Sequence, residues 1–223
     1  MPEFDRFADS YRTVLDKGVA ASGESSEYFA DYKAAWLAAR LGSGFSGRIL
    51  DHGCGVGMLT ACLLRHLPDA QCVGFDVSPE SLANVPPDVA AAARFTSDPG
   101  QIGDGFALVV LSNVLHHVPP HERDGLLRDL HGRLAPGGRL AVFEHNPGNP
   151  ATRLVVSRCP FDDDAVLLWP RETRARLTRA GLTAVEQAYV VFFPRPLKGL
   201  RPLEPMLGWL PLGAQYVASG VRN

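Results

Sequence analysis

The chain lacks most features that would mark a specialised class at once. Its four cysteines, Cys54, Cys62, Cys72 and Cys159, form no Cys-x-x-Cys pair. That excludes a disulfide framework or a zinc ribbon and reads as free thiols in a reducing compartment. No apolar run approaches the roughly 18–20 residues of a membrane span. The opening Met1-Pro2-Glu3-Phe4-Asp5-Arg6 carries no basic-then-apolar leader, so the expected setting is cytoplasmic. Charge of neither sign dominates. The net value is −2, far from the basic field of a nucleic-acid binder, so no nucleic-acid partner is expected. No Gly-Lys-Ser/Thr step is present, which removes phosphate-loop chemistry. No internal repeat or low-complexity segment stands out.

What is present suits one α/β domain: 223 residues, 46% of them apolar, enough to bury a full core. Residues 3–41 pattern as two helical pieces. Phe4, Phe7, Tyr11 and Leu15 form one stripe, and Tyr28, Phe29, Tyr32, Ala35 and Trp36 a second, split by a Gly/Ser-rich break at 21–26. Strand candidates follow at 48–52, 72–77, 93–97, 106–112 and 139–144. Phe106 to Leu111 is apolar on both faces, as a central parallel strand is. Ser78-Pro79-Glu80 starts a helix, 119–134 gives another, and Pro136-Gly137-Gly138 predicts a tight turn before the next strand. A helix over 170–180 precedes strands at 183–193 and 214–221, with 194–211 between them. This order predicts a doubly wound α/β sheet of about seven strands with right-handed crossovers, helices on both faces. The division expected is a single domain over 1–223. Residues 1–44 form a helical lid, 45–145 a ligand-binding core, and 146–223 a substrate-side loop, helix and strand pair.

The most informative stretch is Ile49-Leu50-Asp51-His52-Gly53-Cys54-Gly55-Val56-Gly57. A short apolar run ends in a carboxylate, and glycines then fall at every second position before a helical pattern begins. That is the entry to a nucleotide-type site at a sheet edge. A dinucleotide fingerprint would place its third glycine where Met58 stands. The leading Asp51 would also repel a pyrophosphate, and suits a ligand with an ammonium group nearby.

Asp51-x-Gly53-x-Gly55-x-Gly57 resembles the first motif of class I S-adenosylmethionine (SAM) dependent methyltransferases. Four further segments match that family in order: Val73 to Ser78, Phe95 to Asp98, Phe106 to Pro119, and Leu134 to Leu140. The likeness is close over 45–145 and is of the small-molecule type, similar to the quinone-biosynthesis-like group. It implies a Rossmann-like sheet, mostly parallel with a reversed last strand, and SAM as cofactor. Gly53 and Gly55 would let the backbone approach its amino-acid and ribose parts, and Asp51 would face its ammonium end. Asp76, followed by Val77, would hold both ribose hydroxyls. Asp98 would accept from the adenine amino group. Asn113 would lie beside the sulfonium, with Tyr11 in the lid and Lys33 a candidate partner for the SAM carboxylate.

The implied activity is methyl transfer to an O, N or C atom of a small acceptor, with a lipophilic one admitted by the tail. The alternatives are a SAM-binding protein without methyl transfer, or a Rossmann-type oxidoreductase. His116, Glu144 and His145 are the catalytic candidates. They are expected at the carboxyl edge of the sheet, where a base would take a hydroxyl proton. No metal is expected, since Asn113 stands where the family's metal-dependent branch places an acid. Further substrate-side candidates are Asn149, Arg153, Arg158 and Asp162 to Asp164. In the tail, Leu197, Leu200, Leu203, Leu207 and Leu210 share one side at spacings of three and four, interrupted by Pro202 and Pro205. This reads either as a packed crossover or as a wall over a lipophilic acceptor, with peripheral membrane contact through 194–211.

Overall fold

The structure is a computed structural model that describes residues 11–42, 44–162 and 164–223; the side chains of residues 11–14, 21 and 161 also lie outside the description. Two helices come first, α1 (Tyr11–Val19) and α2 (Ser26–Leu41). Then follow β1 (Arg48–His52), α3 (Met58–His66), β2 (Gln71–Phe75), α4 (Pro79–Ala83), α5 (Pro87–Ala92) and β3 (Arg94–Thr96). The second half holds β4 (Phe106–Ser112), α6 (Arg123–Arg133), β5 (Leu134–His145), α7 (Pro150–Val156), α8 (Pro170–Arg179), β6 (Thr183–Val190) and β7 (Gln215–Val221). A long 3-10 stretch, Arg195–Met206, links β6 to β7.

The seven strands form one sheet in the order β3-β2-β1-β4-β5-β7-β6. Pairings through β5 are parallel, and β7 is antiparallel to both β5 and β6. The expected reversed last strand is therefore present, wedged between β5 and β6. Strand β4 sits between β1 and β5 and is covered on both faces. Leu108 and Val110 face α2 and α3, where Ala34, Leu37, Leu59 and Leu63 close that layer. Val109 and Leu111 face Leu127, Leu130 and Leu177 of α6 and α8. Its apolar run on both faces follows from that double burial.

Several boundaries differ from expectation for identifiable reasons. Pro136-Gly137-Gly138 is not a turn before β5 but lies inside it, where the pairing with β4 shifts register between Phe106 and Leu108. Gly137 takes φ +77 and donates its N–H to the Arg222 carbonyl at 2.8 Å, so the segment is a bulge. Strand β6 stops at Val190 because Val191 adopts φ +62, a left-handed conformation costly for a β-branched residue. The break between α1 and α2 falls at Gly23-Glu24-Ser25. Phe4 and Phe7 of the predicted first stripe lie outside the described residues.

Tyr216 of β7 anchors the α8 layer. Its hydroxyl is buried between Thr173 Oγ1 at 2.7 Å and the Leu168 carbonyl at 3.0 Å. Tyr216→Phe keeps the ring but strands both partners, so unfolding in urea should show a loss of about 1–3 kcal/mol at an unchanged m-value.

Candidate active site

The carboxyl ends of β1, β2, β4 and β5 open on a cleft of about 1190 Å³. Its floor begins at the glycine turn after β1. Gly53 takes φ +79, and a Cβ there would meet Val114 Cγ2 at 2.4 Å, so both backbone shape and space demand glycine. The Gly53 and Cys54 N–H groups donate to the Phe75 carbonyl at 2.7 and 3.0 Å, tying the turn to the end of β2. One residue on, Asp76 accepts from the Gly55 N–H at 2.8 Å and the Ser78 N–H at 3.0 Å. A carboxylate accepts up to about four hydrogen bonds, and Asp76 lines the cleft, where a ligand diol would meet it. Val77, beside it, also lines the cleft.

Two buried charges sit under this floor. Asp51 accepts from Thr60 Oγ1 at 2.7 Å; burial pushes its carboxyl up to about 6, against the Thr60 bond and the Lys33 charge. Lys33 crosses from α2 to donate to Ser112 Oγ at 2.8 Å. Burial pulls its ammonium down to about 8, with Glu144 and Asp51 opposing. At the end of β4, Asn113 holds φ +58, and its side-chain oxygen is buried in the cleft wall with no hydrogen-bond partner. An acid for a diol, a backbone pinned where side chains cannot fit, and an orphaned acceptor facing the cleft suit SAM, the cofactor implied by the sequence.

The proton chemistry lies at the strand β4 and β5 ends. Glu144 is fully buried and does not line the cleft, which corrects the expectation that it faces substrate beside His145. Alternation along β5 explains this: Glu144 shares the face of Leu140 and Val142, and His145 that of Phe143. Glu144 instead accepts from the Leu115 N–H at 2.8 Å and meets His116 Nδ1 at 2.5 Å. An ionised carboxylate only accepts, so Nδ1 carries the proton. His116 Nε2 then lies 3.3 Å from Asp162 Oδ1, off hydrogen-bond alignment. Burial disfavours charge on His116, but Glu144 and then Asp162 outweigh it and raise the imidazole to about 9.

His117 and His145 stack near His116, with ring centroids 4.1 and 5.2 Å away. Burial first, and then the His116 charge, lowers each to about 4, so both stay neutral. His116, His117 and Asp162 bring one ligand atom each within 4.8 Å.

Not every predicted residue joins the cleft. Asp98 does not line it. Its two carboxylate oxygens take the Gly100 N–H at 2.8 Å and Gln101 Nε2 at 3.1 Å, capping the short turn that follows. The side chain of Tyr11 and the whole of Asp163 lie outside the described residues. Asn149, Arg158 and Asp162 line the cleft, as do Tyr28 and Phe29 of the proposed lid. Gln215 and the pair Phe192-Phe193 were not singled out by sequence, yet all three line it. Gln215 Oε1 is buried without a partner. Nothing in its spacing signals this, because strand pairing with His145 alone brings it there.

A family model described as a methyltransferase domain matches residues 50–140. The chain is 32% identical to a trans-aconitate 2-methyltransferase of Mycobacterium sp. (strain KMS), over 78% of this chain and 71% of that protein. Among solved structures, a SAM-dependent methyltransferase of Thermotoga maritima superposes with TM-score 0.69 at 16% identity, covering 99% of this chain and 98% of that one. An O-methyltransferase family protein of Burkholderia thailandensis gives TM-score 0.65 at 17% identity; the chain spans 98% of its own length there but 62% of that protein. Asp76→Ala should weaken SAM binding about a hundredfold, the worth of two hydrogen bonds to a charged acceptor. Calorimetric titration reads this directly, and unchanged affinity would put the ribose elsewhere.

Proposed function

The chain belongs to the class I SAM-dependent methyltransferases, and from that premise we propose that it methylates a hydroxyl oxygen of a small lipophilic acceptor, with His116 as general base. One observation carries the reading: Glu144 fixes the Nδ1 proton of His116, a residue of the cleft wall, so Nε2, buried 3.3 Å from Asp162 Oδ1, is the basic atom of the neutral ring. The apolar wall beside it, with Val118, Leu154, Val155, Phe192 and Phe193, suits a lipophilic acceptor.

Bound SAM supplies an activated methyl on its sulfonium. The protein's share is to hold, to exclude water and to move one proton. Asp76 and the backbone at Gly53 and Gly55 would hold the ribose and amino-acid parts, with Lys33 as cation for the carboxylate. As the acceptor oxygen takes the methyl, its O–H bond breaks and the proton passes to His116 Nε2. The Glu144 carboxylate stabilises the imidazolium so formed. His117 and His145, held neutral, add no opposing charge at that moment. The apolar wall keeps water from competing for the proton and orders the acceptor in line.

The pH profile tests this. A base held at about 9 is mostly protonated near neutrality, so its active fraction grows as pH rises. In a radiolabelled-methyl assay over quinol and phenol acceptors, kcat/KM should rise about tenfold per pH unit through neutrality and level near pH 9. Glu144→Gln removes the charge that holds the proton, so the levelling point should move down toward the ordinary histidine range, with a lower plateau. His116→Ala should cut kcat by about 10²–10⁴ while calorimetric SAM affinity stays within about twofold. Trans-aconitate belongs in the same assay, since the relatives are named for it. An acid acceptor is already deprotonated. Transfer to it at a rate flat in pH, with full activity in His116→Ala, would overturn the base.

A further inference from the structure

Between β6 and β7 the chain reads Arg195-Pro196-Leu197, Lys198-Gly199-Leu200, Arg201-Pro202-Leu203, Glu204-Pro205-Met206, Leu207-Gly208-Trp209, Leu210-Pro211-Leu212. This is a three-residue repeat, which the sequence reading at helical spacing passes over. Through Met206 the backbone is a 3-10 helix, kinked at Leu197. Three residues make one turn of such a helix, so every third side chain falls on one ridge. The third position of each triplet is a large apolar residue. Leu197, Leu200, Leu203, Met206, Trp209 and Leu212 are all exposed, from 43% at Leu200 to 76% at Trp209. Leu207 and Leu210, which the helical reading placed on the same stripe, are only partly exposed and belong to another ridge.

The first position of the first four triplets carries charge, and its distribution is one-sided. Arg195 and Lys198 are exposed. The one acid of the repeat, Glu204, is buried, where Oε1 accepts from the N–H groups of Phe192 and Phe193 at 3.2 and 3.0 Å. Arg201 is turned in against the N-terminal helices, paired with Glu24 at 2.7 Å and over the Tyr28 ring at 4.2 Å. The outer face of the segment is therefore apolar and cationic with no exposed acid, on a chain whose net charge is −2. It is also continuous with the cleft, because Phe192, Phe193 and Pro194, the residues just before the repeat, form part of the cleft wall.

We propose that the 195–212 repeat is a docking surface for an anionic lipid bilayer, inserting its apolar ridge between headgroups with Arg195 and Lys198 against lipid phosphates. Large apolar side chains bordered by bases and free of acids are the chemistry of interfacial segments, and six exposed large apolar side chains in one segment call for a partner. Docked this way, the cleft mouth beside Phe192 and Phe193 meets the bilayer, so a lipophilic acceptor reaches His116 without crossing water. That last step rests on the acceptor proposed above; the docking itself does not.

The full chain is tested by flotation with vesicles of phosphatidylcholine and phosphatidylglycerol at 3:1 and of phosphatidylcholine alone, with no SAM or acceptor present. Binding should be at least about tenfold tighter to the anionic vesicles, with a blue shift of tryptophan emission that Trp209→Phe removes. Lys198→Glu should weaken binding by about fivefold or more, the worth of one base at such a surface. The triple variant L200S/M206S/W209S, all at exposed positions, should weaken it at least about tenfold with an unchanged circular dichroism spectrum. Failure to float with anionic vesicles at millimolar lipid would overturn the proposal, as would equal binding by the triple variant. A dimer in gel filtration that the triple variant dissociates, without vesicle binding, would assign the ridge to a second copy and overturn it too. Vesicle binding without methyl transfer to any lipophilic acceptor would instead sink the acceptor reading and leave the docking surface standing.

Discussion

Burial of charge at the carboxyl edge of the sheet is the constraint that organises this molecule. Asp51, Glu144, His116 and Lys33 are each at most 3% exposed, and charges taken out of water survive only when their partners are placed well. The partners come from separate elements. Thr60 of α3 holds Asp51, Ser112 of β4 holds Lys33, and the Leu115 N–H and His116 ring hold Glu144. Helix α2 must lie across the sheet to deliver Lys33, and β4 must end one residue before Asn113 to turn the following segment over Glu144. The cleft is the space left between elements that are fixed by these pairings.

The same constraint sorts the histidines. Four negative or positive groups share a small volume of low dielectric, so the protons cannot be placed independently. His116 takes the charge because two carboxylates flank it, and burial first, with the His116 charge second, keeps His117 and His145 neutral. Only one of three adjacent imidazoles is thereby poised to exchange a proton, and the one chosen is the one with a fixed tautomer. Glu144 fixes the ring of His116 and does not itself line the cleft.

What could be read from the sequence follows the same division between local and long-range causes. The glycine turn, its leading Asp51 and the trailing Asp76 were legible, because backbone conformation and strand ends determine them within a few residues. The doubly wound sheet followed from the alternation of strands and helices, and the reversed β7 from the family resemblance. Glu144 turns inward, against the expectation that it shares the cleft with His145, because side chains alternate along β5 and neighbours at a strand end face opposite ways. Asp98, expected near the adenine, caps the turn that follows it, where the Gly100 N–H and Gln101 Nε2 take its carboxylate oxygens. Gln215 had no local signal at all. Its place in the cleft comes from antiparallel pairing with a strand more than sixty residues earlier.

The tail shows how a period misread at one level changes the outcome at another. At helical spacing, leucines 197, 200, 203, 207 and 210 make one stripe, and the prolines look like interruptions. At a period of three the prolines and glycines become one ridge of their own, and no interruption is left. A proline lacks the N–H that a continued helical ladder would need, so repeating it every third or sixth residue favours the tighter, extended 3-10 form over an α-helix. That choice of backbone, in turn, separates the leucines into an inner and an outer set, and sends Glu204 inward to cap Phe192 and Phe193 while Met206 and Trp209 face out. The bond from Arg201 to Glu24 then ties the segment to the start of α2, the helix that carries Lys33. One run of triplets thus joins the outer surface, the apolar wall of the cleft and the cationic end of the cofactor site through covalent neighbours and a single ion pair.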